Sequence, residues 1–108
     1  MEKIYDLVIL GAGPAGLSAG IYGGRSRLAT LIIEQGKDGG QIAITSSIEN
    51  YPGQMLTGET GATLIARMTE QARLFGAERR SDTIKELRLR EPDKRLIGPY
   101  EEYPARCV

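Results

Sequence analysis

Two apolar runs near the start of the chain enclose a glycine-rich segment. Residues 4–10 are Ile-Tyr-Asp-Leu-Val-Ile-Leu, and residues 28–34 are Leu-Ala-Thr-Leu-Ile-Ile-Glu. Short apolar runs bounded by turn residues predict buried strands, here over residues 5–10 and 29–34. Between them, Pro14 and the small residues after it predict a helix that begins at the proline. The order strand, turn, helix and strand predicts a βαβ unit with a parallel sheet.

The middle of the chain predicts a long polar loop followed by a second helix. Residues 35–59 lack a clear period and include the turn residues Tyr-Pro-Gly at 51–53. Loops of this length inside a domain tend to carry function. Either Thr57 or Thr60 can cap the helix, which we expect to begin near Gly61 and to end at Gly76. Its predicted core positions follow helical spacing: Leu64, Ile65, Met68, Ala72 and Phe75.

After Gly76 the pattern changes to short strands over residues 77–80, 83–90, 95–97 and 103–108, with a turn at residues 91–93. These strands predict an antiparallel β-meander. The predicted fold class is therefore α/β, with a Rossmann-like parallel sheet and an appended meander.

Composition excludes several classes of function. Acidic and basic residues number 14 each, so no net field attracts nucleic acid or an anionic membrane. Histidine is missing, which removes the commonest metal ligand, and we expect no metal site. Cys107 is the only cysteine, which excludes an internal disulfide, and its sequence context predicts a small core residue. Neither a signal peptide nor a membrane span is evident, and we expect a cytoplasmic protein.

The glycine segment at residues 11–16, Gly-Ala-Gly-Pro-Ala-Gly, predicts a phosphate-binding turn. Gly11 permits a tight turn after the strand, Gly13 leaves room for a pyrophosphate, and Gly16 lets the helix lie close to the strand. The phosphates are then expected at the N-terminus of the helix, where unpaired N–H groups point outward. The alternative is a βαβ unit whose glycines serve packing alone.

Glu34 stands about twenty residues after the glycine segment, at the end of the second predicted strand. A carboxylate at this point can accept hydrogen bonds from a ribose diol, whereas it repels a 2′-phosphate. The sequence therefore predicts an ADP-ribosyl group of the FAD or NAD type, and not NADP. A carboxylate that is simply solvated is the alternative.

With Gly39-Gly40-Gln41 and Glu49-Asn50-Tyr51-Pro52-Gly53, these motifs resemble the N-terminal FAD-binding part of the low-molecular-weight thioredoxin reductases. These proteins form class II of the pyridine nucleotide-disulfide oxidoreductases, and the resemblance covers essentially the whole chain. It implies a flavoprotein that binds FAD and passes electrons from NAD(P)H to a disulfide of a thioredoxin-like protein. A homodimer or other self-association is also expected.

Carried over by position, the resemblance assigns a part of FAD to each motif. The glycine turn would hold the pyrophosphate, Glu34 and Gln35 the adenosine ribose, and the backbone of Thr83 and Ile84 the adenine. The loop after the second strand would face the flavin, although Asn50 could instead cap the turn at residues 51–53. Thr45 could equally be an ordinary loop hydroxyl. The implied cofactor-binding residues are Gly11, Gly13, Pro14, Ala15, Gly16, Glu34, Gln35, Gly40, Gln41, Ile42, Thr45, Asn50, Thr83 and Ile84.

The departures from the family limit these expectations. The nicotinamide domain with its Cys-x-x-Cys, where the NAD(P)H site is expected, and the final FAD segment are not found in residues 1–108. Gly23 and Gly24 stand where the family usually has alanine. We therefore expect an N-terminal portion of a FAD-binding domain, incomplete relative to the family and without catalytic residues of its own. A non-catalytic nucleotide-binding module, or an inactive truncated gene product, is the alternative.

Overall fold

The computed structural model describes residues 3–90 and 92–108, so Glu91 of the predicted turn at residues 91–93 lies outside the described residues. Within these residues the chain forms six strands, two α-helices and one 3₁₀ helix. In chain order they are β1 (Leu7–Leu10), α1 (Pro14–Arg25), β2 (Thr30–Glu34), the 3₁₀ helix (Gly40–Ile44), α2 (Gly61–Leu74), β3 (Glu78–Ser81), β4 (Glu86–Arg88), β5 (Lys94–Ile97) and β6 (Glu102–Ala105).

The strands form a parallel sheet in the order β1-β2-β3 and an antiparallel sheet in the order β4-β5-β6. The predicted fold class is confirmed, including the parallel pairing of the first two strands. The strand predicted at residues 77–80 is not part of the meander, because β3 lies parallel to β2 with Glu78 opposite Leu31. Its four exposed residues, Glu-Arg-Arg-Ser, are typical of a protected edge strand, and this polarity concealed the parallel pairing.

β1 begins two residues later than predicted because a bulge interrupts its pairing with β2. The N–H groups of Asp6 and Leu7 both donate to the carbonyl of Ala29, at 2.9 and 3.2 Å. The Asp6 carboxylate accepts the Ala29 N–H in return, at 2.8 Å. An extra residue of this kind changes the alternation of faces, and both Tyr5 and Val8 are consequently buried in the same cluster.

The other side of β1 and the residues before it is occupied by the end of β6 and the segment that follows it. Tyr5 donates its N–H to the carbonyl of Pro104 at 3.0 Å and accepts the N–H of Arg106 at 2.9 Å. Val8 donates to the carbonyl of Cys107 at 2.9 Å. The prediction that Cys107 is a core residue was wrong, because this backbone pairing leaves its side chain exposed.

Two apolar clusters cover the two faces of the parallel sheet. One cluster joins β2 to both helices and contains Ala12, Leu17, Ile32, Ile48, Leu64, Ile65, Met68, Ala72 and Ala77. The other joins β1 and β2 to the meander and contains Tyr5, Val8, Leu31, Ile33, Leu96, Tyr103 and Ala105. The fold is therefore a three-layer arrangement of helices, parallel sheet and meander. Phe75, predicted in the core, is 44% exposed at the end of α2.

Glycines in α1 let the helix approach its neighbours more closely than any other residue would allow. A Cβ atom on Gly23 would lie 2.7 Å from Oγ1 of Thr30, and one on Gly24 would lie 2.7 Å from the carbonyl oxygen of Phe75. The two glycines thus allow α1 to pack closely against the start of β2 and the end of α2. This close packing offsets their low helix propensity of roughly 1 kcal/mol each.

Candidate functional site

The glycine turn between β1 and α1 has open space beside Gly13 and is tightly packed against α1 at Gly16. Gly11 has φ of 114°, a conformation that favours glycine. A Cβ atom on Gly16 would lie 1.8 Å from the carbonyl oxygen of Gly11, so the helix contacts the turn directly. A Cβ atom on Gly13, by contrast, would meet no atom within 4 Å. Pro14 begins α1, and Ala15 beside it is exposed. The open space therefore faces the unpaired N–H groups at the start of α1.

The Glu34 carboxylate joins the end of β2 to the glycine turn. One oxygen accepts the Ala12 N–H at 2.9 Å, and the other accepts the Gly36 N–H at 2.8 Å. These two backbone donors, Ala12 first, hold the pKa of Glu34 below its ordinary value. A carboxylate offers about four lone-pair positions, so acceptor capacity remains for a ribose hydroxyl. The side chain is not simply solvated.

A groove of about 310 Å³ lies at the carboxyl ends of β1, β2 and β3. It is lined by Leu10, Gly11, Ile33, Glu34, Gln35, Asp82 and Ile84. The structure thus brings together the residues predicted for the ribose and one of the two predicted for the adenine. Carboxyl ends of parallel strands are the usual position for a nucleotide in this class of fold.

The backbone on the far side of the groove differs between the two residues predicted to meet adenine. Thr83 donates its N–H to the Asp82 carboxylate at 2.7 Å, so this N–H already has a hydrogen-bond partner. In the described part of the chain, neither the N–H nor the C=O of Ile84 has a hydrogen-bond partner. A peptide unit with a free donor and acceptor can pair with the edge of a nucleotide base.

Asp82 is the polar groove residue that sequence reasoning missed. It follows β3 directly, and its N–H donates to the carbonyl of Glu34 at 3.2 Å. The available signal was an acidic residue just beyond a strand that runs beside β2. Because residues 77–80 were assigned to the meander, the carboxyl end of that strand was not expected at the same edge as Glu34.

The Gly39-Gly40-Gln41 segment lies directly against the glycine turn. Gly39 donates its N–H to the carbonyl of Ala12 at 2.7 Å, and the 3₁₀ helix starts at Gly40. Gly39 has φ of 98°, and a Cβ atom there would lie 2.7 Å from the side chain of Ile65. Gln41 is exposed, whereas Ile42 packs against the helix-side core. This segment therefore lies along one edge of the glycine turn.

Thr45 and Asn50 lie on the loop between the 3₁₀ helix and α2. Thr45 accepts the N–H of Gly61 at 2.8 Å through its carbonyl, which ties it to the start of α2. The turn at residues 51–53 is held by Gln54, whose Oε1 accepts the Tyr51 N–H at 2.8 Å and whose amide donates to the carbonyl of Ile48. Asn50 therefore does not cap that turn. Within residues 3–90 and 92–108, the side chains of Thr45 and Asn50 are exposed and form no hydrogen bond.

A buried carboxylate holds the end of this loop in place. The Glu59 side chain is fully buried; one oxygen accepts the Met55 N–H at 3.2 Å and pairs with Arg67, and the other accepts the Thr63 hydroxyl at 2.5 Å. Thr60 caps α2 by accepting the Thr63 N–H at 3.1 Å, which decides between the two predicted caps. The loop that carries Asn50 is thus anchored at its far end.

Among the residues that the structure describes, no group of three or more acidic, cysteine or histidine side chains could hold a metal ion. No helix in the described part has the length and apolarity that a membrane crossing requires.

An open glycine turn, a carboxylate at the end of the next strand and a groove at the carboxyl edge define a dinucleotide-binding protein of the βαβ class. Comparison with known families narrows this class. Residues 6–85 match the family described as FAD binding domain. The chain belongs to this FAD-binding family.

The chain is also similar to thioredoxin reductases over nearly all of its length. It is 47% identical over 108 residues to a thioredoxin reductase of Peptoclostridium litorale, of which it covers 34%. It is 46% identical over 107 residues to that of Bacillus subtilis, of which it covers 33%. A crystal structure of a thioredoxin reductase from Streptococcus pyogenes superposes with a TM-score of 0.90 at 35% identity, over 98% of this chain and 34% of that one. The chain spans about a third of the length of these relatives.

Proposed function

We propose that this chain binds FAD through its adenosine diphosphate part. The diphosphate lies over Gly13 and Ala15 at the start of α1, the ribose bonds to Glu34, and the adenine enters the groove that ends at Ile84. The observation that supports this most directly is the open turn at Gly13 joined to Glu34 through Ala12. Membership of the FAD-binding family gives the same cofactor.

The flavin ring extends from the diphosphate toward the loop after β2. Gly40, Gln41 and Ile42 lie beside the glycine turn, and the exposed side chains of Thr45 and Asn50 have free donors and acceptors. A side-chain amide such as that of Asn50 suits the polar edge of an isoalloxazine, since it can both donate and accept.

In the complete protein, we propose thioredoxin reductase activity, as in the similar proteins. FAD supplies the hydride-accepting and electron-donating chemistry, with NAD(P)H as donor and a thioredoxin-like protein disulfide as acceptor. The residues of this chain bind and orient the cofactor, and the nicotinamide site lies in a region that these 108 residues do not include. Reduction of a protein disulfide suits a reducing compartment, so we place the activity in the cytoplasm.

Titration of the purified chain with FAD, followed by flavin fluorescence and calorimetry, tests the proposal. We expect saturable binding that competes with ADP. Gly13→Val should abolish binding, since its side chain would fill the open space beside the start of α1 that the diphosphate is proposed to occupy. Ala62→Val, which adds bulk at an exposed position on α2, is the matched control and should bind normally. Unchanged FAD binding by a folded Gly13→Val variant would exclude the assignment.

We also propose that the chain self-associates through the exposed aromatic side chains beside the groove between α1 and α2. Tyr22 is 69% exposed and Phe75 is 44% exposed, and both line this groove of about 440 Å³. Light scattering over a range of concentrations should show mass rising toward a dimer. Tyr22→Lys should weaken association, whereas Tyr100→Lys, on the meander, should not. A monomer at the highest concentration contradicts this proposal.

A further inference from the structure

The Asp82 carboxylate occupies a defined place in the nucleotide groove. It lies at the carboxyl end of β3, and its own N–H bonds to the carbonyl of Glu34 at 3.2 Å. The groove-lining side chains that carry polar groups are Glu34, Gln35 and Asp82. With Glu34 assigned to the ribose, Asp82 is the acidic lining residue that lies two positions before Ile84 in the chain.

Two donors fix the orientation of this carboxylate. The Tyr103 hydroxyl donates to Oδ2 at 2.5 Å, and the Thr83 N–H donates to Oδ1 at 2.7 Å. Tyr103 is buried in the meander-side core, so its hydroxyl is itself held in place. A carboxylate can accept about four hydrogen bonds, and each Asp82 oxygen therefore retains one acceptor position. The Asp82 carboxylate is therefore a fixed hydrogen-bond acceptor that has no hydrogen to donate.

We propose that Asp82 is a base-specificity residue, which accepts a hydrogen bond from the exocyclic amino group of adenine and so selects adenine over 6-keto purines. The inference rests on the proposed binding of an adenine nucleotide in this groove. Adenine carries two amino hydrogens at C6, and the free carbonyl of Ile84 provides a second acceptor. Hypoxanthine carries a keto oxygen at the same position, and a carboxylate repels that oxygen.

Calorimetric titration of the full chain with ADP and with IDP tests this role. The wild type should bind ADP at least about ten-fold more tightly than IDP, because a site built to accept from the amino group leaves its acceptors unpaired against the keto group. Asp82→Asn, whose amide can donate as well as accept, should reduce this ratio to about three-fold or less. Glu34→Gln is the control, and it should weaken both ligands while leaving their ratio unchanged.

Each outcome is decisive. An Asp82→Asn variant that keeps the wild-type ratio would overturn the role of Asp82 and leave FAD binding intact. Equal wild-type affinities for ADP and IDP would do the same. Failure of the wild type to bind ADP, IDP and FAD would overturn the proposed function together with this inference. Circular dichroism verifies folding, and if Asp82→Asn unfolds, Asp82→Ser keeps an acceptor for the Thr83 N–H and should show the same loss of selectivity.

Discussion

Ala12 donates its N–H to the Glu34 carboxylate at 2.9 Å, so the middle of the glycine turn is bonded to the tip of the neighbouring strand. Glu34 consequently fixes the shape of the glycine turn, and in the proposed function it presents its remaining lone pairs to the ribose. A turn held by this bond has fewer conformations to lose, which reduces the ordering cost of binding.

Glu34→Gln should lower stability at neutral pH by about 1–2 kcal/mol, because the new amide cannot accept from both Ala12 and Gly36. The pKa of Glu34 is lowered in the folded state, so its contribution is complete above the ordinary carboxyl pKa of about 4.5. It is lost as pH falls through the lower folded-state pKa. Urea unfolding at pH 7 and pH 3 should show the difference between wild type and variant shrinking in acid. A constant difference would contradict the role of the charge.

Gly16→Ala should destabilise the fold by about 3 kcal/mol or more, since its methyl group would overlap the Gly11 carbonyl oxygen. Gly36→Ala is the matched control. A Cβ atom there would meet only the Glu34 carboxylate, at 3.7 Å, and the backbone conformation is one that alanine adopts. The control should change stability by less than about 1 kcal/mol. Thermal unfolding that shows equal losses for the two variants would disprove the close contact.

Tyr103→Phe should cost about 1–2 kcal/mol, because the hydroxyl bonds to a charged acceptor. Burial, followed by the hydrogen bond to Asp82, raises the pKa of Tyr103 to about 12. Since the folded-state pKa exceeds the ordinary value of 10, the stabilisation is complete below pH 10 and is lost between pH 10 and 12. The wild type should therefore be more stable than Tyr103→Phe at pH 9, and the two proteins should be nearly equal in stability at pH 11.5. Unfolding curves at the two pH values measure this difference. An advantage of the wild type that persists at pH 11.5 would rule out this linkage.

Glu59→Ala should destabilise by about 3 kcal/mol, because it removes the acceptor shared by Arg67, Thr63 and the Met55 N–H. Arg67→Ala should cost less, since the Arg67 side chain is partly exposed. A double-mutant cycle should give a coupling energy of about 1 kcal/mol or more. Additive losses would show that the two side chains act independently, and the loop would then need another anchor.

The βαβ unit could be predicted because each of its steps has a local signal. These signals are the two apolar runs, Pro14 and the acidic Glu34, and each can be read from residues that are close in sequence. In the structure, β1, α1 and β2 lie within the segments that these signals predict. β3 was harder to place, since an edge strand lacks the apolar alternation that a buried strand carries. Misplacing β3 also concealed Asp82. A site that is assembled by several strand ends is predictable only when every strand is assigned to its sheet.

The loop at residues 45–60 shows a second limit of pattern reasoning. Its conformation depends on Gln54 and on the buried Glu59, and polar residues of these types are usually solvated. Asn50 was predicted either to cap the turn at residues 51–53 or to face the flavin. Because Gln54 holds that turn, Asn50 does not cap it. Its proximity to the flavin stays a prediction. The exposure of Cys107 likewise depends on a backbone pairing with Val8 about a hundred residues away.

The pairing of Tyr5 with residues 104–106 has a consequence for the order in which the chain folds. β1 pairs on one edge with the nearby β2, whereas its other neighbour comes from about a hundred residues further along the chain. During synthesis, β1 can pair with β2 early, while its second edge stays open until the segment after β6 has left the ribosome. Contacts of such long sequence separation slow folding. The glycine turn therefore follows a strand that is translated well before the residues that cover its second edge.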